Sequence, residues 1–257
     1  MTDELWGGWR TAPYVPTWQA KLTLCGSPDE RITPIRERLA GWLRNVVSGA
    51  PDAVVMSHIR GPGHRPIDEK FLERVADGQV EGATIDLHEV LDEKAVLYFN
   101  FGRRARLRGR EVALLVHMVD VDNGRFRSRF FDVAEQLAAH TGLAQGVLLE
   151  NTDAGPVSTN VPVHWGVPEE AIDWTVDVGV FDKVLIGSGG SAYWIGPRLY
   201  ERLTEPPSSV SARQHEHGWW VQGEERYMDD LWSWLSPVAA TPQSVRELVV
   251  PHFPETS

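Results

Sequence analysis

Between Ser191 and Leu235, strand and helix signals follow one another so closely that neither an all-helical fold nor a regular βα alternation accommodates them. Ala192-Tyr193-Trp194-Ile195 reads as the end of a buried strand, and Pro197 to Leu203 as a short amphipathic helix. Val210–Gln214 and Trp219–Gln222 then form a hairpin around Glu216-His217-Gly218. Its second strand carries Trp219 and Trp220, and a helix over Tyr227–Leu235 with Trp232 and Trp234 closes the unit. Aromatics placed at these points make the segment an anchored piece of a mixed α and β core.

The rest of the chain agrees with that class. Residues 1–17, with Trp6, Trp9 and Tyr14 among Gly and Pro, have no period and read as an irregular arm lying against the body. Lys21–Cys25 is a first strand. Ile35, Leu39, Trp42, Val46 and Val47 recur at helical spacing, with Ser27-Pro28 or Thr33-Pro34 as rival starts and Gly49 as the stop. Gly61-Pro62-Gly63 is a loop, and Pro66 opens a second helix with Ile67, Phe71 and Val75 on one face and Gly78 at its end. Ala95–Phe101 and Glu111–Asp120 read as antiparallel neighbours, with a further strand within Thr84–Val90. Phe126–His140 is helical, Gly146–Leu149 and Trp174–Ile186 are strands, and Thr241-Pro242 starts a last helical turn. The expectation is one α+β domain over residues 1–257, a mostly antiparallel sheet with helices packed on one side.

Composition narrows the function classes. A chain of 257 residues with 42% hydrophobic and 24% charged residues can bury a sizeable core without disulfides or metal. Apolar runs such as Val112–Val116 fall far short of the roughly 20 residues of a membrane-spanning helix. The opening MTDELWGGWR has acidic residues where a signal peptide carries positive charge, and the single Cys25 suits a reducing compartment. A cytoplasmic location is therefore expected. Net charge is −11, distributed unevenly: Phe130–Asp182 holds nine acidic residues and no Lys or Arg, whereas Tyr98–Arg129 holds eight arginines and three acids. Such asymmetry points to faces of opposite sign, the acidic one steering basic partners.

Motifs with chemistry in them are incomplete. Gly187-Ser188-Gly189-Gly190 follows a predicted strand, but the Gly-Lys-Ser/Thr of a phosphate loop is missing, and the helix a dinucleotide site requires would contain Gly196 and Pro197. His215-Glu216-His217 has the spacing of some metal ligands without the second cluster a zinc site needs, and reads as an exposed turn. Asp120-Val121-Asp122-Asn123-Gly124 opens like a calcium loop, yet its glycine comes one residue early and its twelfth position is Phe131. Cys25 closes an apolar strand and reads as a structural thiol, and no Gly-x-Ser-x-Gly elbow exists. An enzyme would need a concave pocket where at least two polar groups of shifted pKa converge, with Cys25, His215 or His217 on its wall. The strongest charged feature is the run Arg103, Arg104, Arg106, Arg108 and Arg110, which suits phosphate or nucleic-acid binding, a solvated strand connection, or pairing with the chain's own acidic segment. An isoelectric point near 5.3 and the lack of a nucleic-acid module weigh against the first. No metal, cofactor or catalytic residue set is expected.

The order of elements, with Leu22–Leu24, Ile35–Val47, Val96–Phe101, Tyr193–Trp194 and the Trp219-Trp220 hairpin in place, resembles bacterial immunity proteins of type VI and polymorphic-toxin systems. It departs from them at Ala192-Tyr193-Trp194, where they tend to carry Gly-Trp-Leu. The resemblance implies a binding protein rather than an enzyme, one that neutralises a cognate toxin by covering its active surface. A nuclease toxin, basic where it holds nucleic acid, is the expected partner for an acidic inhibitor. On that reading the partner-binding residues fall in the acidic segment and its long loop 151–168: Glu150, Asp153, Glu169, Glu170 and Asp173, with Trp165 as an anchor. The alternatives are a nucleic-acid or phosphate-ligand binder using residues 103–110, or an enzyme acting on a small molecule.

Overall fold

Ala20, Leu22 and Leu24 alternate along the first strand and are all fully buried, so one face of that strand is core from Ala20 to Leu24. The computed structural model describes residues 18–25, 32–48, 54–56, 64–80, 82–86, 94–100, 113–120, 127–151, 183–185 and 189–249. Its strands are β1 (Trp18–Cys25), β2 (Val54–Met56), β3 (His64–Pro66), β4 (Gly82–Asp86), β5 (Lys94–Asn100), β6 (Ala113–Asp120), β7 (Gln145–Asn151), β8 (Ala192–Ile195), β9 (Val210–His215) and β10 (Gly218–Gly223). All ten join one sheet in the order β3-β2-β4-β5-β6-β1-β7-β8-β10-β9, and every neighbouring pair is antiparallel. β1 is central, Leu22 standing opposite Val116 on one side and Leu148 on the other. The fold is α+β.

Helices α1 (Ile32–Val47), α2 (Glu69–Ala76) and α3 (Arg127–Thr141) present apolar stripes to one face of this sheet. Ile35, Leu39, Trp42 and Leu43 of α1, Leu72 and Val75 of α2, and Phe130, Ala134, Leu137 and Ala138 of α3 form one core with Leu22, Leu148, Trp194 and Trp220. These are the three helices expected on one side. The closing part of the chain adds a layer on the other side. There Val147, Tyr193, Ile195 and Val221 meet Leu199 of α4 (Pro197–Tyr200) and Leu231, Trp234 and Leu235 of α5 (Met228–Leu235). Alternation along β7, β8 and β10 thus serves two cores. Helix α6 (Pro242–Val249) follows, its start tied by reciprocal bonds between Thr241 and Ser244.

Local chemistry explains where the structure departs from sequence expectation. Pro66 does not open a helix; it ends β3 opposite Val54. The helix begins at Glu69, because the Asp68 carboxylate accepts the Phe71 N–H (2.8 Å) and caps the turn, a bond Pro66 could not provide. Of the strand expected over Trp174–Ile186, residues 183–185 are described, and they make a single parallel bridge instead of a sheet strand. Leu185 donates to the Val238 carbonyl and accepts from Ala240 N–H, so its backbone is committed to the segment after α5. Gly142, at φ +61°, ends α3 in the left-handed region, and a Cβ there would lie 2.7 Å from the His217 Cβ. The arm 1–17, Gly49, the Arg103–Arg110 run and residues 152–168 lie outside the described residues.

Candidate functional site

Residues of α1, α3 and the edge strand β9 line an open groove of about 710 Å³. Trp42, Asn45 and Val46 come from α1, Asp132, Glu135, Gln136, Ala139 and His140 from α3, and His215 and Glu216 from the end of β9 and its hairpin tip. Residues 132, 136 and 140 of α3 repeat at intervals of four, so they stack along the helix one turn apart, away from its buried Phe130, Ala134, Leu137 and Ala138. Among the described residues, the lining holds three carboxylates and no Lys or Arg.

Glu135 organises the wall. One carboxylate oxygen accepts from Arg213 Nε (2.8 Å) and from the His215 ring (2.9 Å), and the other oxygen takes the Arg213 terminal nitrogen. The Glu135 side chain is largely covered, whereas Arg213 is half exposed, so the bidentate pair ties α3 to β9 at the rim. His215 also lies against Trp194, ring centroids 5.9 Å apart. Its neighbour His217 goes elsewhere: the guanidinium of Arg38 on α1 donates to its Nε2 at 2.9 Å. The two imidazoles of His215-Glu216-His217 therefore serve different partners and brace the hairpin tip against two helices. Among the described residues, no group of three His, Cys, Asp or Glu side chains is disposed to hold a metal ion.

Among the described lining residues, Trp42 has a buried side-chain donor that is unsatisfied. The residue is 4% exposed, and its indole N–H is buried without a hydrogen-bond partner. The Trp220 indole N–H is likewise buried without a partner, whereas Trp194, Trp232 and Trp234 donate to the carbonyls of Leu143, Gly190 and Thr204. Tyr193, 2% exposed on the opposite face, accepts the Gly190 N–H at 2.8 Å, and burial pushes its phenol up to about 12 although that bond works the other way.

Of the residues singled out by sequence for partner binding, Glu150 alone is described. It lies in β7 and is largely covered, its carboxylate held by both arms of Arg127 (2.5 and 2.8 Å), whose guanidinium also sits over the Phe131 ring. One arginine of the basic segment thus pairs with one acid of the acidic segment. Asp153, Trp165, Glu169, Glu170 and Asp173 lie outside the described residues. Cys25 is the last residue of β1, paired along the backbone with Ala113 and Gln145. Glu135 and Trp42 were not identified as site residues from sequence. Their meeting with β9 joins positions 78 or more apart, and the only local trace is a polar stripe on α3, the ordinary mark of a solvated face.

No helix among the described residues is long and apolar enough to cross a membrane. No protein-family model matches the chain, and no curated protein matches it. Among solved structures, the Pseudomonas aeruginosa T6SS protein PA0821 shares its fold, with a TM-score of 0.51 at 10% identity over 95% of this chain and 90% of that one.

Proposed function

We propose that this chain is a type VI-associated immunity protein, which binds a cognate toxin effector and neutralises it by covering its active surface. The observation that carries the reading is the fold shared, over nearly the full length of both chains, with a protein of that secretion system. Net charge of −11 and the acidic segment suit a toxin with a basic surface, a nuclease being the natural case. Partner binding is assigned to Glu150, Asp153, Trp165, Glu169, Glu170 and Asp173. The protein acts without catalysis, in the cytoplasm where its toxin is made.

Co-expression with the product of the adjacent reading frame tests this. The two proteins are expected to co-purify, and the chain to restore growth of cells that express the toxin. Absence of both would end the reading. The enzyme alternative draws on one observation, His215 bonded to Glu135 on a groove wall. Glu135 is shared with Arg213, and the described lining residues include no Ser, Thr or Cys to serve as nucleophile. If His215→Ala abolished protection while leaving partner binding intact, that alternative would take precedence.

A further inference from the structure

The two ends of the sheet are finished differently. At one end β3 is three residues long and stops at Pro66, which has no N–H to offer. At the other, β9 runs six residues in unbroken register with β10, from Val210↔Gly223 to His215↔Gly218, with no Pro, Lys or bulge. Its single arginine, Arg213, is committed to Glu135 on the α3 side and does not guard the edge.

The hairpin fixes which backbone groups are left over. Its turn, Glu216-His217, closes on the pair His215↔Gly218, so the ladder bonds to β10 fall on His215, Arg213 and Ser211. The N–H and C=O groups of Ala212 and Gln214 therefore point away from the sheet. Among the described residues, no backbone group pairs with them. Val210 N–H is bonded to the Pro207 carbonyl, which leaves the Val210 carbonyl for this edge.

A second copy of β9 answers these groups. In a chain of net charge −11 this strand carries no carboxylate, so two copies meet there without setting acid on acid. Antiparallel pairing about a two-fold axis at Ala212 sets Ala212 against Ala212, Ser211 against Arg213 and Val210 against Gln214 of the second copy. Each Ala212 then donates to and accepts from its counterpart, and each Gln214 N–H reaches the other copy's Val210 carbonyl. A slide of two residues one way brings Arg213 directly against Arg213, like charges in cross-strand contact. The same slide the other way carries Gln214 past Val210, where β9 begins. The sequence of the strand therefore selects one self-complementary register.

We propose that β9 pairs with β9 of a second copy of this chain, antiparallel and centred on Ala212, so that the two sheets become one. This goes beyond the immunity reading and does not depend on it.

Sedimentation velocity on the full chain, from about 1 to 300 μM, measures the association. The wild type is expected to pass from monomer to dimer within that range. Ala212→Pro removes a donor that the monomer does not use, and an edge strand tolerates proline at such a position, so the fold should survive with the dimer weakened at least tenfold. The register is read by two substitutions at exposed Ser211. Ser211→Arg sets an arginine against Arg213 of the second copy and should weaken association at least tenfold, whereas Ser211→Glu sets a carboxylate there and should strengthen it. Circular dichroism and thermal midpoints verify folding, and if Ala212→Pro does not fold, the Ser211 variants decide. A wild type monomeric throughout, a dimer untouched by Ala212→Pro, or equal effects from the two Ser211 variants would overturn the proposal. So would a chain that is monomeric alone but loses its toxin on Ala212→Pro, because the edge would then belong to a strand of the toxin. Growth protection reports on the immunity role separately: a dimer that confers none keeps the β9 pairing and removes that role.

Discussion

The buried Tyr193 phenol makes stability at high pH a direct probe of the second core. Its hydroxyl accepts the Gly190 N–H, and its pKa is pushed up to about 12 by burial, against an ordinary value near 10. The folded state therefore holds the phenolic proton over a range in which the unfolded chain has lost it. Its contribution is complete below pH 10 and is lost as pH rises towards 12. Two pH units of difference correspond to about 2–3 kcal/mol, roughly half of it gone by pH 11. Tyr193→Phe removes this dependence but leaves Gly190 N–H without its acceptor, which costs about 1–2 kcal/mol at neutral pH. The wild type should be the more stable protein at pH 8, and the order should invert near pH 11. Urea midpoints for both proteins, taken every half unit from pH 8 to 11.5, measure this, and absorbance at about 295 nm follows phenolate formation. Two curves that stay parallel through pH 11.5 would refute the assignment of a buried, proton-holding phenol at this position.

Other substitutions test separate parts of the structure. Gly218→Ala places a Cβ 2.7 Å from the Ile195 carbonyl oxygen and 2.8 Å from the Trp194 ring, and should lower stability by about 1–3 kcal/mol in chemical denaturation. Glu135→Ala releases both Arg213 and His215, yet with Arg213 half in solvent the loss should be only about 1 kcal/mol, and smaller in 1 M NaCl than in 0.05 M. Arg127→Lys keeps the charge but not the two-pronged grip on Glu150, so it should lose most of what Arg127→Ala loses in the same assay. Arg44 and Glu69 are exposed, and although their hydrogen bond raises the arginine and lowers the carboxyl pKa, Arg44→Ala should leave the denaturation midpoint unchanged.

Burial that repeats with a regular period was visible in the sequence, because residues close along the chain encode it. Trp194 and Trp220 fall on one face and Tyr193 and Val221 on the other, so the hairpin and its neighbouring strand emerged with nearly correct bounds. Val54–Met56 and His64–Pro66 did not, since three residues carry too little alternation to register. Pro66 misled by its frequency at helix starts, when the nearby Asp68 had the side-chain oxygen that a cap requires. The layer formed by α4 and α5 was legible as helices but not as a second face, because the side a helix covers depends on how its strands are ordered. The groove was less legible still. Acidity after Phe130 was plain, but nothing local joins Glu135 to Arg213 and His215, or shows that Trp42 and Trp220 lack an acceptor where Trp194, Trp232 and Trp234 have one.

The central place of β1 sets a timetable for synthesis. Trp18–Cys25 leaves the ribosome well before its two neighbours, Ala113–Asp120 and Gln145–Asn151. At about 5–20 residues per second, roughly 6–25 s pass between the emergence of β1 and the completion of β7. Both edges of an apolar strand stay open during that interval, and the long loops to be closed make its pairing slow afterwards. Nascent chains on one message thus expose the same unpaired strand at the same time, which favours chaperone capture. If the chain is an antidote, newly started synthesis lags behind the need for it, and protection depends on molecules already folded.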